Sequence, residues 1–270
     1  MDGARSSRGA FGTEVSAPRG DVAGLVQALQ SRFGSARVRV GVPLASWTTF
    51  RVGGPADVVF EPGQRDELRL AVDEARRTGV PVTILGGGSN VLVADRGVRG
   101  LVVRLTLRKI ESCGPSQVRA EAGATINGLV RWTMARGLGG LEAWAGTPGT
   151  VGGAVCGNAH FGGRLIADLI DRVEAINPDG EFVSYARADA GFSYDRSRFQ
   201  TTGEIVVAVL FQLRPGCAPE VLRARARESL GLRKRTQPLG APSAGCVFRN
   251  PVPGDGPMPP AVPASAGALI

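Results

Sequence analysis

The chain has 270 residues, 43% of them hydrophobic and 21% charged, and a net charge of +8, which describes an ordinary globular protein long enough for two domains. Glycine is abundant, at 39 residues, but it sits in loops between apolar runs and so reads as turn chemistry and not as low complexity. No apolar run approaches the roughly eighteen residues of a membrane span, and the N-terminus lacks an apolar signal segment, so a cytoplasmic protein with no membrane partner is expected.

Residues 1–20 are small, polar and without period, and are expected to be a disordered tail. Asp21 caps a predicted helix in which Val22, Leu25, Val26, Leu29 and Phe33 share one face, ended by Gly34. A strand is predicted at Ala56–Glu61, and a second amphipathic helix over Asp66–Thr78, stopped by Gly79. Val82–Leu85 and Val91–Ala94 read as two short strands flanking a glycine turn, followed by strands at Leu101–Leu107 and Val118–Ala122. A helix is predicted at Ile126–Arg136. Val173–Asn177 and Glu181–Tyr185 flank Pro178-Asp179-Gly180, a hairpin turn. Ile205–Leu213 reads as a buried strand and Pro219–Arg235 as a basic helix. Pro215-Gly216 between them is the best candidate domain boundary, and the proline-rich stretch after Pro251 fits neither regular structure. Helices and strands mix without a steady βαβ period, so the fold class is α+β.

The richest stretch for ligand chemistry is Gly146–Asn158, GTPGTVGGAVCGN, with five glycines and a proline in thirteen positions. Pro148 stiffens the turn while the glycines bare the backbone, which suits a ligand's polar parts; a surface linker would rarely carry Val151, Ala154 and Val155 as well. A second cluster, Gly86-Gly87-Gly88-Ser89-Asn90, lacks the following helix of a dinucleotide fingerprint. It is expected instead to form a nest of N–H groups around an anion, with Ser89 and Asn90 as additional donors. The basic residues are nearly all arginine, Lys109 and Lys234 being the two lysines. Arginine binds phosphate and carboxylate in bidentate fashion, and without an aromatic-interleaved basic stripe small anions are favoured over nucleic acid. Four cysteines without CxxC spacing and one histidine make no metal cluster, and no disulfide is expected.

TTFRVGGPADVVFEP (48–62), LGGGSNVLVAD (85–95), GTPGTVGGAVCGNA (146–159) and PSAGCVFRNP (242–251) together resemble, in order and spacing, the UDP-N-acetylenolpyruvoylglucosamine reductases. The resemblance runs from about Pro43 to the last residue. It implies an FAD-binding domain of the vanillyl-alcohol-oxidase type over 21–214 and a smaller α+β substrate domain from 215 to 270. It implies non-covalent FAD, reduced by NADPH, and reduction of a UDP-sugar enolpyruvyl ether by a monomer. Gly86, Gly87, Gly88, Ser89 and Asn90 would then hold the FAD pyrophosphate. Thr147, Gly149, Thr150 and Gly153 would lie along the cofactor, with Thr49 and Arg51 in the first flavin-side motif. Tyr194, Arg249 and Asn250 fall in the substrate region, and Arg233, Lys234 and Arg235 belong either to it or to a solvated helix end. The sequence stops at PASAGALI, inside a motif that the family continues to a catalytic glutamate, so the resemblance implies an incomplete substrate domain. A flavin-linked oxidase of the same fold and a non-catalytic flavin-binding fragment are the alternative readings.

Two departures from the family pattern matter. Cys246 stands where relatives commonly have serine as proton donor. A thiol, with an ordinary pKa of about 8.5, is a far stronger acid than a hydroxyl, so Cys246 is the candidate donor; a packed thiol with water as the acid is the alternative. Relatives often read YR-x-S where this chain has Tyr194-Asp195-Arg196-Ser197. The cation that stabilises the substrate enolate is therefore expected at Arg196, with Arg198 as the other candidate. His160 reads as a loop residue and not as a covalent flavin anchor.

Overall fold

The structure, a computed structural model, describes residues 20–238, 240–245, 248, 250, 251 and 266. The expected tail at 1–20 therefore lies, but for Gly20, outside the described residues, as do Cys246 and Arg249. Helix α1 (Val22–Phe33) begins at Asp21, whose carboxylate accepts from the Gly24 N–H at 2.8 Å, and buries Leu25 and Leu29. It leads to strand β1 (Val38–Pro43), a 3₁₀ turn at Leu44–Trp47 and β2 (Pro55–Phe60). Helix α2 (Arg65–Arg77) starts in a capping box between Gln64 and Glu67, a residue earlier than the pattern indicated. After β3 (Val82–Leu85) comes β4 (Val98–Arg104), and these strands form a four-stranded sheet in the order β1-β2-β4-β3.

One expectation fails here. Residues 91–94 are not a strand, and β3 runs parallel to β4, so the glycine cluster is part of a crossover and not of a hairpin. The apolar residues of 91–94 have another use. Ala56 and Val59 of β2 form a small core with Leu44, Leu85 and Val102, against which Trp47, Val91 and Val93 pack. Val58, Phe60, Leu101 and Val103 face the other way, towards α1 and α2, in the main core. Helices thus cover one face of this sheet and two loops cover the other.

Strands β5 (Ile110–Ser112) and β6 (Gln117–Glu121) precede helix α3 (Ile126–Met134), capped by Thr125. Within Gly146–Asn158, expected to be loop throughout, residues Val151–Cys156 form a short helix, α4. Its Val151 and Val155 are fully buried, which explains why the loop mixes apolar residues with glycine. A two-stranded ribbon follows, β7 (His160–Phe161) and β8 (Arg164–Leu165). Strands β9 (Ile170–Ile176) and β10 (Phe182–Ala186) pair antiparallel across Pro178-Asp179-Gly180, as the turn chemistry indicates. With β11 (Ile205–Gln212) they complete an antiparallel sheet in the order β10-β9-β11-β6-β5. Helix α5 (Pro219–Thr236) packs on the 3₁₀ turn at Leu141–Trp144, where the Ser229 hydroxyl donates to the Ala143 carbonyl at 2.6 Å.

Candidate functional site

The chain leaves β3 at its carboxyl end and enters Gly86–Asn90, the position where open α/β sheets receive ligands. The N–H groups of all five residues donate to no acceptor among the described residues, although Gly88 is buried and Gly86 and Ser89 are half-buried. Backbone donors left this way cost free energy unless water or a ligand takes them, so the run has the character of an anion nest. Gly88 sits at φ +63°, and its carbonyl accepts from the Thr49 N–H at 3.0 Å and the Thr49 hydroxyl at 3.3 Å. The same hydroxyl lies 2.6 Å from the Ser243 carbonyl, so Thr49 ties the nest to the segment before Cys246. Arg51 is exposed, at φ +58°.

The two glycine loops touch. A Cβ on Gly87 would stand 2.8 Å from the Gly149 Cα. At this contact glycine serves loop-against-loop packing, a role different from the bare ligand-facing backbone expected of it. The second loop is held from below by α3: the Asn127 side chain accepts from the Gly146 N–H at 2.6 Å and donates to the Thr147 carbonyl at 3.2 Å. The N–H groups of Gly149 and Thr150 have no acceptor among the described residues, and the buried Thr150 hydroxyl has no partner.

Arg233 enters this region from α5. Only 5% of it is exposed, yet it has no carboxylate partner among the described residues. One guanidinium nitrogen donates to the Thr147 hydroxyl at 2.6 Å, the group lies 3.7 Å from the Phe161 ring centroid, and Nε is buried with no acceptor. Burial pushes its pKa below the ordinary arginine range. Of the Arg233-Lys234-Arg235 run, then, one residue points inward and two are exposed. Nearby, Glu142 is 2% exposed. Burial pushes its carboxyl up, but the Gly140 N–H and the guanidinium groups of Arg225 and Arg214 outweigh that and hold it below the usual carboxylate range.

The substrate-side candidates gather around a turn. Ser193 and Arg196 exchange backbone hydrogen bonds at 3.1 Å each way, with Tyr194 and Asp195 at the tip and Asp195 at φ +55°. The segment is not extended, so alternation along a strand does not decide where Arg196 points. Arg196 is exposed and its side chain has no partner among the described residues. Arg198 is committed elsewhere: Nε lies 2.9 Å from the buried Glu204 carboxylate, and the guanidinium lies 4.0 Å from the Tyr185 ring centroid. The Asn250 side chain donates to the Tyr194 hydroxyl at 3.0 Å, bringing these two candidates together across 56 residues. Buried Asn158, at φ +43°, donates to the Ser193 carbonyl at 2.7 Å and so fastens the end of α4 to this turn.

The residues present fit a bound dinucleotide: on adjoining segments lie a run of N–H groups, a buried hydroxyl and a buried cation that have, among the described residues, no acceptor, no partner and no counter-ion respectively. Asn127, Asn158 and the inward direction of Arg233 escaped sequence reasoning. The GN pair before Ala159 hints at a left-handed asparagine, but nothing local marks its long-range partner.

Residues 56–186 match the FAD binding domain family. The chain is 39% identical over 232 residues to the UDP-N-acetylenolpyruvoylglucosamine reductase of Carboxydothermus hydrogenoformans, covering 86% of this chain and 76% of that protein. It is 44% identical over 218 residues to the protein of the same name from Rubrobacter xylanophilus, covering 80% and 72%. The crystal structure of UDP-N-acetylenolpyruvylglucosamine reductase (MurB) from Thermus caldophilus superimposes with a TM-score of 0.69 at 36% identity, over 79% of this chain and 76% of that one. Alkyldihydroxyacetonephosphate synthase, at 17% identity and a TM-score of 0.54, shares the fold alone.

Proposed function

The chain belongs to the UDP-N-acetylenolpyruvoylglucosamine reductase family, and on that premise we propose that it reduces UDP-N-acetylglucosamine enolpyruvate to UDP-N-acetylmuramate with NADPH, in cytoplasmic peptidoglycan precursor synthesis. The FAD-binding fold supplies the frame for this chemistry. The observation that carries the reading is the run of five N–H groups at Gly86–Asn90 that have no acceptor among the described residues, packed against Gly149 and Thr150. A diphosphate is the anion that such a nest suits best.

When bound, FAD would supply the hydride chemistry between NADPH and the enolpyruvyl ether. The chain's own groups bind, orient and protonate. Gly86–Asn90 hold the FAD pyrophosphate, while Thr147, Gly149, Thr150 and Gly153 line the cofactor, flanked by Thr49 and Arg51. Arg233 meets a phosphate at the junction of cofactor and substrate. Tyr194, Arg249 and Asn250 orient the UDP-sugar, Arg196 balances the charge developing on its carboxylate, and Cys246 delivers a proton to C2. Residues 21–214 form the FAD-binding domain, and the substrate domain begins at 215. The test is NADPH oxidation by the FAD-loaded chain. Consumption dependent on the enolpyruvyl UDP-sugar is expected; flavin reduced anaerobically and not reoxidised by that sugar would refute the reading.

A further inference from the structure

His160 is the one histidine of the chain, and the proposed reaction leaves it without a role. The ribbon that carries it is only two residues deep on each side, so His160 and Phe161 face opposite ways. Phe161 lies beneath Arg233, which reaches Thr147 of the cofactor loop. His160 turns to the Tyr194 turn, its ring centroid 4.7 Å from that of Tyr194 and its Nδ1 3.1 Å from an Asp195 carboxylate oxygen. Tyr194 in turn receives Asn250. His160 therefore stands between the cofactor loop and the substrate candidates, with 35% of its side chain open.

From this juxtaposition we propose that His160, held by Asp195, is a clamp for the carboxylate of the substrate. The inference rests on the reductase reading. With Nδ1–H donated to Asp195, the free ring position is Nε2. An anion docking there is held by a charge-assisted hydrogen bond when Nε2 also carries a proton, and the docked anion itself favours that protonation. Of the charged and titratable groups nearby, Asp195 and Tyr194 belong to the turn that the ring faces and Arg196 follows them there as the cation of that turn, while Arg164 and Arg233 lie on the Phe161 side of the ribbon. Asp195 acts through His160 and is a positioning residue. No bond to carbon is made or broken by the imidazole; it binds the carboxylate before hydride addition and balances the charge that addition places on it.

The single histidine makes a direct test possible. In untagged, FAD-loaded protein with ¹⁵N-labelled histidine, ring nitrogens are observed at pH 8 without NADPH, with the enolpyruvyl UDP-sugar added to saturation judged from flavin absorbance. The expected complex shows both nitrogens protonated, where an unperturbed imidazole is neutral. A neutral ring in the saturated complex overturns the proposal. His160→Gln is expected to weaken sugar binding by about tenfold or more while retaining FAD, the size of one charge-assisted hydrogen bond. Asp195→Asn, which keeps the left-handed turn, is expected to raise KM more than it lowers kcat. If wild-type reduced flavin is reoxidised by the sugar and both variants bind it as well as wild type, the clamp fails while the reductase reading stands. Flavin that survives acid precipitation in wild type but not in His160→Gln would also overturn the clamp, because the ring would then be the cofactor's anchor.

Discussion

Replacing Arg233 by methionine separates a structural arginine from one kept for a ligand. In the ligand-free chain the buried guanidinium has no counter-ion among the described residues, and an uncompensated buried charge costs several kcal/mol, which methionine would relieve. Against this stand the hydrogen bond to Thr147, worth about 1 kcal/mol, and the contact with Phe161, worth about 1–2 kcal/mol when desolvated. The difference leaves Arg233→Met equal to or about 1–2 kcal/mol more stable than wild type without ligand. That corresponds to a Tm rise of up to roughly 2–8 °C for a chain of this size. Ligand binding moves the other way: losing a charge-assisted hydrogen bond to phosphate costs about 1.5–3 kcal/mol, or about 10- to 150-fold in Kd. Calorimetric titration with FAD, and of the loaded chain with UDP, would show which phosphate Arg233 meets, alongside thermal melts of the apo form. A destabilised apo variant that binds both ligands normally would refute the reasoning, since Arg233 would then be a packing residue.

Gly88 and Gly41 share φ +63°, but a Cβ on Gly88 would meet the Trp47 carbonyl at 1.9 Å while nothing stands within 4 Å of one on Gly41. Gly41→Ala is expected to cost only the left-handed strain, about 1–2 kcal/mol, with FAD retained, and Gly88→Ala to cost more and release FAD; urea melts and flavin content check both. Glu142 has a depressed carboxyl pKa, so its contribution is present above the unfolded value of about 4.3 and is lost as pH falls through the lower native value. Glu142→Gln should therefore be about 1–2 kcal/mol less stable at pH 6, with the gap closing towards pH 3 in denaturant melts. Arg198→Gln should lower stability and spare turnover, because its guanidinium is bound to Glu204, whereas Arg196→Gln should lower kcat; the reverse pattern would exchange their roles. Cys246→Ala should slow single-turnover flavin reoxidation about 10²- to 10⁴-fold, and a near-normal rate would remove the thiol as proton donor.

Much of this molecule is written locally. The α1 and α2 faces, the Pro178-Asp179-Gly180 hairpin, β11 and α5 follow from apolar spacing, caps and turn residues, all set by neighbours a few positions apart. The glycine loops were legible for the same reason, since their composition restricts what the backbone there can be. Val91–Ala94 has the look of a strand, and its apolar residues are indeed needed, but as the cover of a sheet face that exists only once β4 has inserted between β2 and β3. Side-chain partners behave likewise. Arg233 reaches Thr147 across 86 residues, Asn250 reaches Tyr194 across 56, and Asp195 turns its carboxylate to His160. Local pattern dictates backbone conformation and which face a residue presents. Which charge is buried without a partner, and which arginine is left open beside the turn, depends on packing between distant segments, and that packing builds the site.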